Sequence, residues 1–482
     1  SEDITMGYYA ASAGMAIAYP IIPKVLAAVS VKFLLLTDLV LQFFLSWICA
    51  RSQNADILIV CSFAIGFLKG FLMLWFIRYA QKIFSPNNVR SEFYSYFYPL
   101  VYGGGQVSML VTAQLAYYYD WKYMYYFMML LMLVAILLVI ICFRHNRPIK
   151  SVPIADLHIR EMFIISAGLL MLMYVINYGK VLDWMSSAKI CAYIVIAPML
   201  IALFIWIQIH SDKPYVSLAP LYQPKAIIGY LYMMIVMFFS TSTTLLTNYL
   251  SVILKVDTTH TYSLYIYLLP GYLAGAFICF WWFRWQRWRF RFLIAGGMGC
   301  FVIFFAILYF GISPGSTYEM LYLPIFFRGL GMLTLIIAFA LFAVEDLNSK
   351  YLLSNAFFLI IFRSVLTPIM ATSFYSNVLY RLEQKYMCSL SETITTADPL
   401  AASKYSQSLN TALSQGHRYD EAVQIATNSL HATLQQQSLL LALKEILGYL
   451  LVISVIIAVV SRFIPFHKTI RVTFLRTGDD MV

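Results

Sequence analysis

Four ionisable side chains lie inside long apolar runs of this sequence. They are Asp38, Lys69, Arg328 and Arg363. An ionisable group at membrane depth costs about 2.5 kcal/mol or more, so each is expected to have a function or a specific partner. Their types favour two kinds of chemistry, which are proton transfer by a carboxylate and the binding of charged groups by cations.

Asp38 and Lys69 are candidates for coupling. Asp38 lies one helical turn into its run, where it would carry a proton, pair with a cationic substrate or be solvated near the inner interface. Lys69 lies in the middle of its run, where it would pair with Asp38 on a neighbouring helix or reach an interface along its flexible stem.

Arg328 and Arg363 are candidates for binding an anionic substrate group. A second hypothesis gives them a gating pair with Glu345 or Asp346 at the inner end of the helices. A third gives them a structural role, in which an arginine caps an interface or ties two helices together.

A polar cluster and an isolated glutamine complete the candidate sites. They are Ser240, Thr243, Thr244, Thr247, Asn248 and Gln106. Hydroxyl and amide groups line transport pathways, but in membranes they also join helices through hydrogen bonds worth about 0.6–2 kcal/mol each. The sequence leaves both roles open.

The chain that carries these residues is very apolar. It has 482 residues, of which 61% are hydrophobic and 11% are charged, whereas a soluble domain has about 25% charged residues. Several apolar runs approach the ~20 residues that cross a ~30 Å hydrocarbon core. Because backbone groups in lipid must be hydrogen-bonded within the segment, such runs without β alternation predict an all-α transmembrane fold.

Apolar runs between polar breaks define the predicted helices. There are thirteen, at approximately 8–29, 33–50, 57–77, 94–115, 123–143, 160–178, 188–209, 226–254, 262–282, 292–312, 320–344, 352–379 and 439–464.

The distribution of Lys and Arg predicts the orientation. The net charge of +11 is concentrated in one set of alternate loops and in the C-terminal tail, so that side and the C-terminus are expected to be cytoplasmic. Topology explains this charge without a nucleic-acid partner. An odd number of helices then puts the N-terminus outside, and residues 1–7 carry no signal peptide. We therefore expect an earlier helix in the complete fold.

Motifs for enzyme chemistry are missing from the sequence. It has no phosphate-binding loop, zinc-protease motif, nucleophile elbow or paired catalytic carboxylates. The seven cysteines have no metal-binding or disulfide spacing. We predict no catalytic residue, no metal site and no cofactor.

Four short stretches resemble one transporter family. Residues 178–187, Tyr-Gly-Lys-Val-Leu-Asp-Trp-Met-Ser-Ser, resemble the outer-loop Gly-Lys-x-x-Asp-Trp-x-x-Ser signature of EmrB/QacA-type drug:proton antiporters. These form the fourteen-helix branch of the major facilitator superfamily. Residues 213–222 are similar to its Pro-x-x-x-Leu-x-Leu-Phe stretch, 85–90 to an inner loop, and 326–331 with Arg363 to a block of its C-terminal half.

The resemblance implies an architecture. The fold would have two six-helix bundles, with the first helix absent from this chain, and two extra helices between them. The implied divisions are an N-terminal bundle (1–150), two linker helices with inner loops (151–225), a C-terminal bundle (226–379), an extracytoplasmic loop with amphipathic helices (380–438), and a last helix with a cytoplasmic tail (439–482).

The chain also departs from the family pattern. The inner loop at 20–32 lacks the expected acid and glycine, Ser62 stands where an arginine is expected, and 108–113 lacks the proline and glycines of the antiporter motif. The triplet at 103–105 is a partial substitute. Because of these departures, the resemblance by itself does not imply proton coupling or the direction of antiport.

The resemblance implies a secondary active transporter in a bacterial inner membrane. It would export amphipathic drugs or toxic compounds by alternating access, with a periplasmic adaptor and an outer-membrane channel as partners. The proton gradient is the cheapest energy source, and it would act through a carboxylate supplied by the earlier helix. One alternative is a dedicated exporter of an endogenous metabolite, lipid or siderophore. Another is a non-transporting membrane scaffold or sensor with the same fold.

Overall fold

The computed structural model describes residues 2–85, 89–143, 158–285, 290–393, 399–464 and 466. Within these ranges the regular structure is helical and contains no strand, which confirms the all-α prediction. The first six helices are α1 (Glu2–Ala18), α2 (Ile22–Ala28), α3 (Val31–Arg51), α4 (Ala55–Phe84), α5 (Arg90–Tyr118) and α6 (Lys122–Cys142).

Two helices connect this first half to the second. They are α7 (Ile159–Tyr178) and α8 (Ala188–His210). The second half contains α9 (Pro224–Thr241), α10 (Thr243–Asn248), α11 (Thr258–Ser263), α12 (Leu268–Trp285), α13 (Phe290–Gly311), α14 (Tyr322–Phe342), α15 (Leu352–Ile360), α16 (Thr367–Thr393), α17 (Pro399–Ser414) and α18 (Tyr419–Phe463).

Each of the thirteen predicted segments overlaps a helix or a broken helix. Among the described residues, eleven helices are long and apolar enough to span a membrane, or twelve if α1 and α2, which are bent by 63°, form one span. The remaining segment is α5, which is long enough but too polar. The chain is therefore a multi-pass membrane protein.

The same helix pairing recurs in both halves. In the first half α1 packs along α4, and α3 packs along α6; in the second, α12 packs along α14, and α13 packs along α18. The two bundles meet where α5 contacts α12 and where α1 contacts α15. The extra helices α7 and α8 pack against each other, and α7 also contacts α1 and α16.

Glycines allow the central helix pair of each bundle to cross closely. A methyl group built on Gly66 of α4 would lie 1.8 Å from the Ala11 carbonyl oxygen of α1. One built on Gly271 of α12 would lie 2.4 Å from the Phe326 carbonyl oxygen of α14. Any side chain at these positions would push the two backbones apart, so small residues fix both crossings.

The polar stretch 380–438 is largely helical where it is described. It contains the end of α16, all of α17 and the start of α18, and both α16 and α17 pack against α18. Helix α18 has 45 residues, which corresponds to about 67 Å of helix. Because this is about twice the ~30 Å hydrocarbon core, α18 extends well beyond the membrane.

Candidate functional site

A cavity of about 490 Å³ lies between the two bundles. Helices α1, α4 and α5 of the first bundle line it on one side. Helices α14 and α15 and the π-helical turn Ile361–Leu366, which joins α15 to α16, line it on the other. We call it the central cavity.

The central cavity extends from one end of the bundle to its middle. On α4 its lining begins at Lys69, near the helix centre, and reaches Gln81 near the helix end. On α5 it begins at Arg90, the first helical residue, and reaches Tyr102 near the centre. The two ends of each stretch are twelve residues apart, or about 18 Å along the helix. Lys69 and Tyr102 therefore lie at the deep end, and Gln81 and Arg90 at the mouth.

The charge of the lining is one-sided. Three cationic residues, Lys69, Arg90 and Arg363, face the central cavity, and no Asp or Glu occurs among its described lining residues. The Lys69 side chain is exposed, because it projects into the open space of the cavity rather than into packed protein.

Arg363 lies on the π-helical turn, a local widening of the helix that is frequent at functional sites. Its Nε donates to Ser364 Oγ at 3.3 Å. Its Nη1 is buried and has no hydrogen-bond partner among the described residues. The guanidinium lies near four tyrosines that line the cavity, which are Tyr8, Tyr19, Tyr98 and Tyr102.

A row of tyrosines covers the α5 side of the cavity. Tyr94, Tyr98 and Tyr102 recur every four residues and so share one helix face. Their successive ring centroids are 5.3 and 6.3 Å apart. The Tyr102 ring lies 6.0 Å from that of Tyr272 on α12, which continues the row into the second bundle. We call the three α5 residues the tyrosine row.

Asp38 does not belong to the central cavity, and α3 contributes no described residue to its lining. The Asp38 side chain is buried, and its Oδ1 accepts a hydrogen bond of 3.3 Å from Gln42 Nε2. The predicted pair of Asp38 with Lys69 is not formed among the described residues. Helix α3 packs against α4 and α6, but Lys69 on α4 faces the cavity, and no described residue of α3 reaches the cavity. The structure therefore does not bring the two candidates together.

Arg328 is also placed away from the central cavity. It is 8% exposed, and its Nη2 donates to the Ser240 carbonyl oxygen at 2.7 Å. Helix α9 ends at Thr241, so its last carbonyl groups lack partners within the helix. Arg328 thus ties α14 to the end of α9, the third of the roles predicted for it.

The predicted gating pair of an arginine with Glu345 or Asp346 is not present among the described ion pairs. Both carboxylates instead bind Lys225 at the start of α9, with Nζ–Oε2 and Nζ–Oδ2 distances of 2.9 and 2.6 Å. This ion pair joins α9 to the chain just after α14. It is therefore a contact within the second bundle.

The side chains of the polar cluster in the second bundle form hydrogen bonds with the backbone of their own segment. Thr243, Thr244, Thr247 and Asn248 each donate to a carbonyl oxygen three or four residues earlier, over 2.9–3.4 Å. Such bonds satisfy backbone groups around a helix break, and here the break separates α9 from α10 at Ser242. Neither these residues nor Ser240 and Gln106 are among the described residues of the cavity lining. Gln106 lies one turn beyond Tyr102 and interacts with Tyr272.

Sequence reasoning missed Arg90 and the tyrosine row. In the sequence, Arg90 is interpreted as one of the cations that set the membrane orientation, because it stands at the start of an apolar run. The signal for the row is the spacing of Tyr94, Tyr98 and Tyr102, combined with the unusual polarity of α5. A spanning helix can be this polar where one face borders a water-accessible space.

The sequence matches the family description "Major Facilitator Superfamily" over residues 3–372. A crystal structure of an auto-inhibited POT-family peptide transporter is similar, with a TM-score of 0.44, 11% identity and coverage of 92% of this chain and 88% of that chain. Another is a bacterial homologue of the human lysosomal transporter Spinster, in an inward-facing and occupied conformation, with a TM-score of 0.36, 10% identity and 95% coverage of each chain. No curated protein matches significantly. Since the family match spans most of the sequence, this chain belongs to the Major Facilitator Superfamily, as the fold prediction requires.

Proposed function

We propose that this chain is a secondary transporter that exports an amphipathic small molecule by alternating access. The central cavity carries this proposal, because both bundles line it and it stops near the middle of the membrane-spanning region. A site at the interface of two bundles can face either side of the membrane when the bundles rock against each other.

Contacts between the bundles close the route beyond the central cavity. The Tyr9 hydroxyl on α1 and the Thr372 hydroxyl on α16 are 3.1 Å apart and share a hydrogen bond. Met6 and Tyr9 of the first bundle pack with Val365 and Ile369 of the second in one apolar cluster. Among the described residues, these contacts support a cavity that opens at one end in this conformation.

The end at which the cavity opens is proposed to be cytoplasmic. The ends of α4 and α5 that border its mouth carry Arg78, Lys82 and Arg90, and cytoplasmic ends of membrane helices are rich in such residues. The cavity would then load from the cytoplasm, as export requires. The C-terminus would be cytoplasmic and the membrane a bacterial inner membrane.

The proposed partners are those of the EmrB/QacA-type antiporters that the chain resembles. We propose the proton gradient as the energy source and no cofactor. Asp38 is a proton-carrier candidate, since its Oδ2 is buried and has no described hydrogen-bond partner. The helices of 380–438 would dock a periplasmic adaptor, which would connect to an outer-membrane channel.

Export of one endogenous metabolite, lipid or siderophore is the second candidate function. The one-sided charge of the central cavity favours it, because a pocket with three cations and no described acid is poorly suited to cationic drugs.

Flux measurements in proteoliposomes test the proposal. The purified chain should move a fluorescent amphipathic probe from a panel of anions and cations when a pH gradient is imposed. A protonophore should abolish this flux, and protein-free vesicles should lack it. A chain that moves no member of the panel under any gradient would instead fit a scaffold or sensor.

A further inference from the structure

We propose that the central cavity binds an aromatic organic anion, with its acid group between Lys69 and Arg363 and its ring on the tyrosine row. This inference rests on the proposed transport function and specifies its cargo. A carboxylate, phosphate or sulfonate would supply the same negative charge.

The positive charge of the cavity lining indicates that the ligand is negatively charged. Lys69, Arg90 and Arg363 face a space of about 490 Å³ whose described lining contains no carboxylate. Like charges that face one another across this space repel, and an incoming opposite charge replaces that repulsion with attraction. A cationic ligand would add a fourth positive charge and would be repelled.

The positions of the cations locate the acid group. Lys69 belongs to the first bundle and Arg363 to the second, and both lie at the deep end of the cavity. The planar Arg363 guanidinium can donate two parallel hydrogen bonds to an acid group, and its Nη1 has no described partner. Arg90 at the mouth would attract an anion from solution before it reaches the deep end.

The tyrosine row would bind the aromatic ring of the ligand. The rings of Tyr94 and Tyr98 meet edge to face and those of Tyr98 and Tyr102 are tilted by 30°, so the three together offer an aromatic surface on one face of α5. Aromatic surfaces of this kind favour an aromatic partner. The cavity volume falls within the range of pockets that enclose drug-sized molecules.

This arrangement also couples binding to movement. Lys69 and Arg363 carry like charges on opposite bundles, so they repel each other when the cavity is empty and the bundles approach. An anion between them would replace repulsion with attraction to both bundles. The ligand-bound transporter would then close over its cargo more readily than the empty one.

Ligand binding to the purified chain tests this inference with a matched pair of dyes. Fluorescein and rhodamine 123 share a xanthene ring system but differ in charge, the first being anionic and the second cationic. Fluorescence anisotropy should give fluorescein at least tenfold tighter binding than rhodamine 123, since a charge-assisted hydrogen bond is worth about 1.5–3 kcal/mol.

Substitutions then locate the site. Arg363→Gln and Lys69→Gln should each weaken fluorescein binding by about tenfold or more, and Arg363→Lys should weaken it less than Arg363→Gln. Lys82→Gln is the matched control, because Lys82 is an exposed cation on α4 that does not line the cavity. It should leave binding within about twofold. Size-exclusion profiles identify any variant that has not folded, and Arg363→Glu adds a second test because it should favour rhodamine 123.

Rhodamine 123 binding as tight as fluorescein binding would overturn the inference. So would fluorescein binding that neither the Arg363 nor the Lys69 variant weakens. Because binding is measured without a gradient, the two proposals fail separately. Fluorescein binding without flux rejects transport, whereas driven flux with no preference for the anion rejects the anion site.

Discussion

The two bundles share a helix crossing but use their polar residues differently. Gly66 lets α4 approach α1, and Gly271 lets α12 approach α14, so a close helix crossing at a glycine occurs in both halves. In the second bundle α14 is almost entirely enclosed, and Arg328 is bonded to the end of α9. In the first bundle α4 and α5 border the central cavity, and Lys69 and Arg90 face open space.

This difference shows that the packing around an ionisable residue, rather than its type, decides its role. Arg328 and Arg363 both lie in apolar helices of the same half of the chain. Arg328 is held against a backbone carbonyl in a packed interior, whereas Arg363 lies on a π-helical turn and faces the cavity. This contrast supports the proposal that the first is structural and the second binds the ligand.

The largest predicted effect tests whether the two crossings are equivalent. Gly66→Val and Gly271→Val should each destabilise the protein by about 3 kcal/mol or more, because the new side chain meets a carbonyl oxygen of the facing helix. Gly104→Ala is the control, since a methyl group there meets no atom of the described residues within 4 Å. It should stabilise α5 by about 0.5–1 kcal/mol.

Thermal unfolding of the detergent-solubilised protein measures all three variants. If Gly66→Val unfolds at the same temperature as Gly104→Ala, the close crossing of α1 and α4 is wrong. If only one of the two valine variants is destabilised, the close helix crossing is not common to both bundles.

A smaller effect separates the two arginines. Arg328→Ala should cost about 2 kcal/mol of stability, since it empties buried volume and removes the bond to the Ser240 carbonyl oxygen. Arg363→Ala should cost less than half as much, because this side chain borders a cavity that already exists. Fluorescein affinity should show the opposite order, with a large loss for Arg363→Ala and little change for Arg328→Ala. Equal losses of affinity would mean that Arg328 also contacts the ligand.

Much of the fold could be predicted from the sequence. Backbone N–H and C=O groups in lipid must be hydrogen-bonded within their own segment, so long apolar runs form helices. The family match confirms the superfamily that the short motifs indicated. The α5 segment is helical as predicted, although it is more polar than the helices whose composition fits a membrane span.

The sequence was a weaker guide to the site. Lys69 and Arg363 were candidates and do line the cavity, but Asp38, equally ionisable and equally placed in an apolar run, does not. The rotation of each helix decides this, and it depends on contacts with distant segments. The role of Arg328 depends on the break between α9 and α10, almost ninety residues away, which local pattern does not reveal.

The central claim is that one cavity between the bundles opens to each side of the membrane in turn. Ser12 lines the central cavity, so Ser12→Cys can report its accessibility once the seven native cysteines have been replaced by alanine. Ser46→Cys, buried on α3 outside the described cavity lining, is the unreactive control. A membrane-impermeant maleimide should label Ser12→Cys from the cytoplasmic side at rest, and from the outer side during gradient-driven transport. Labelling from one side only, under every gradient and with every probe, would contradict alternating access.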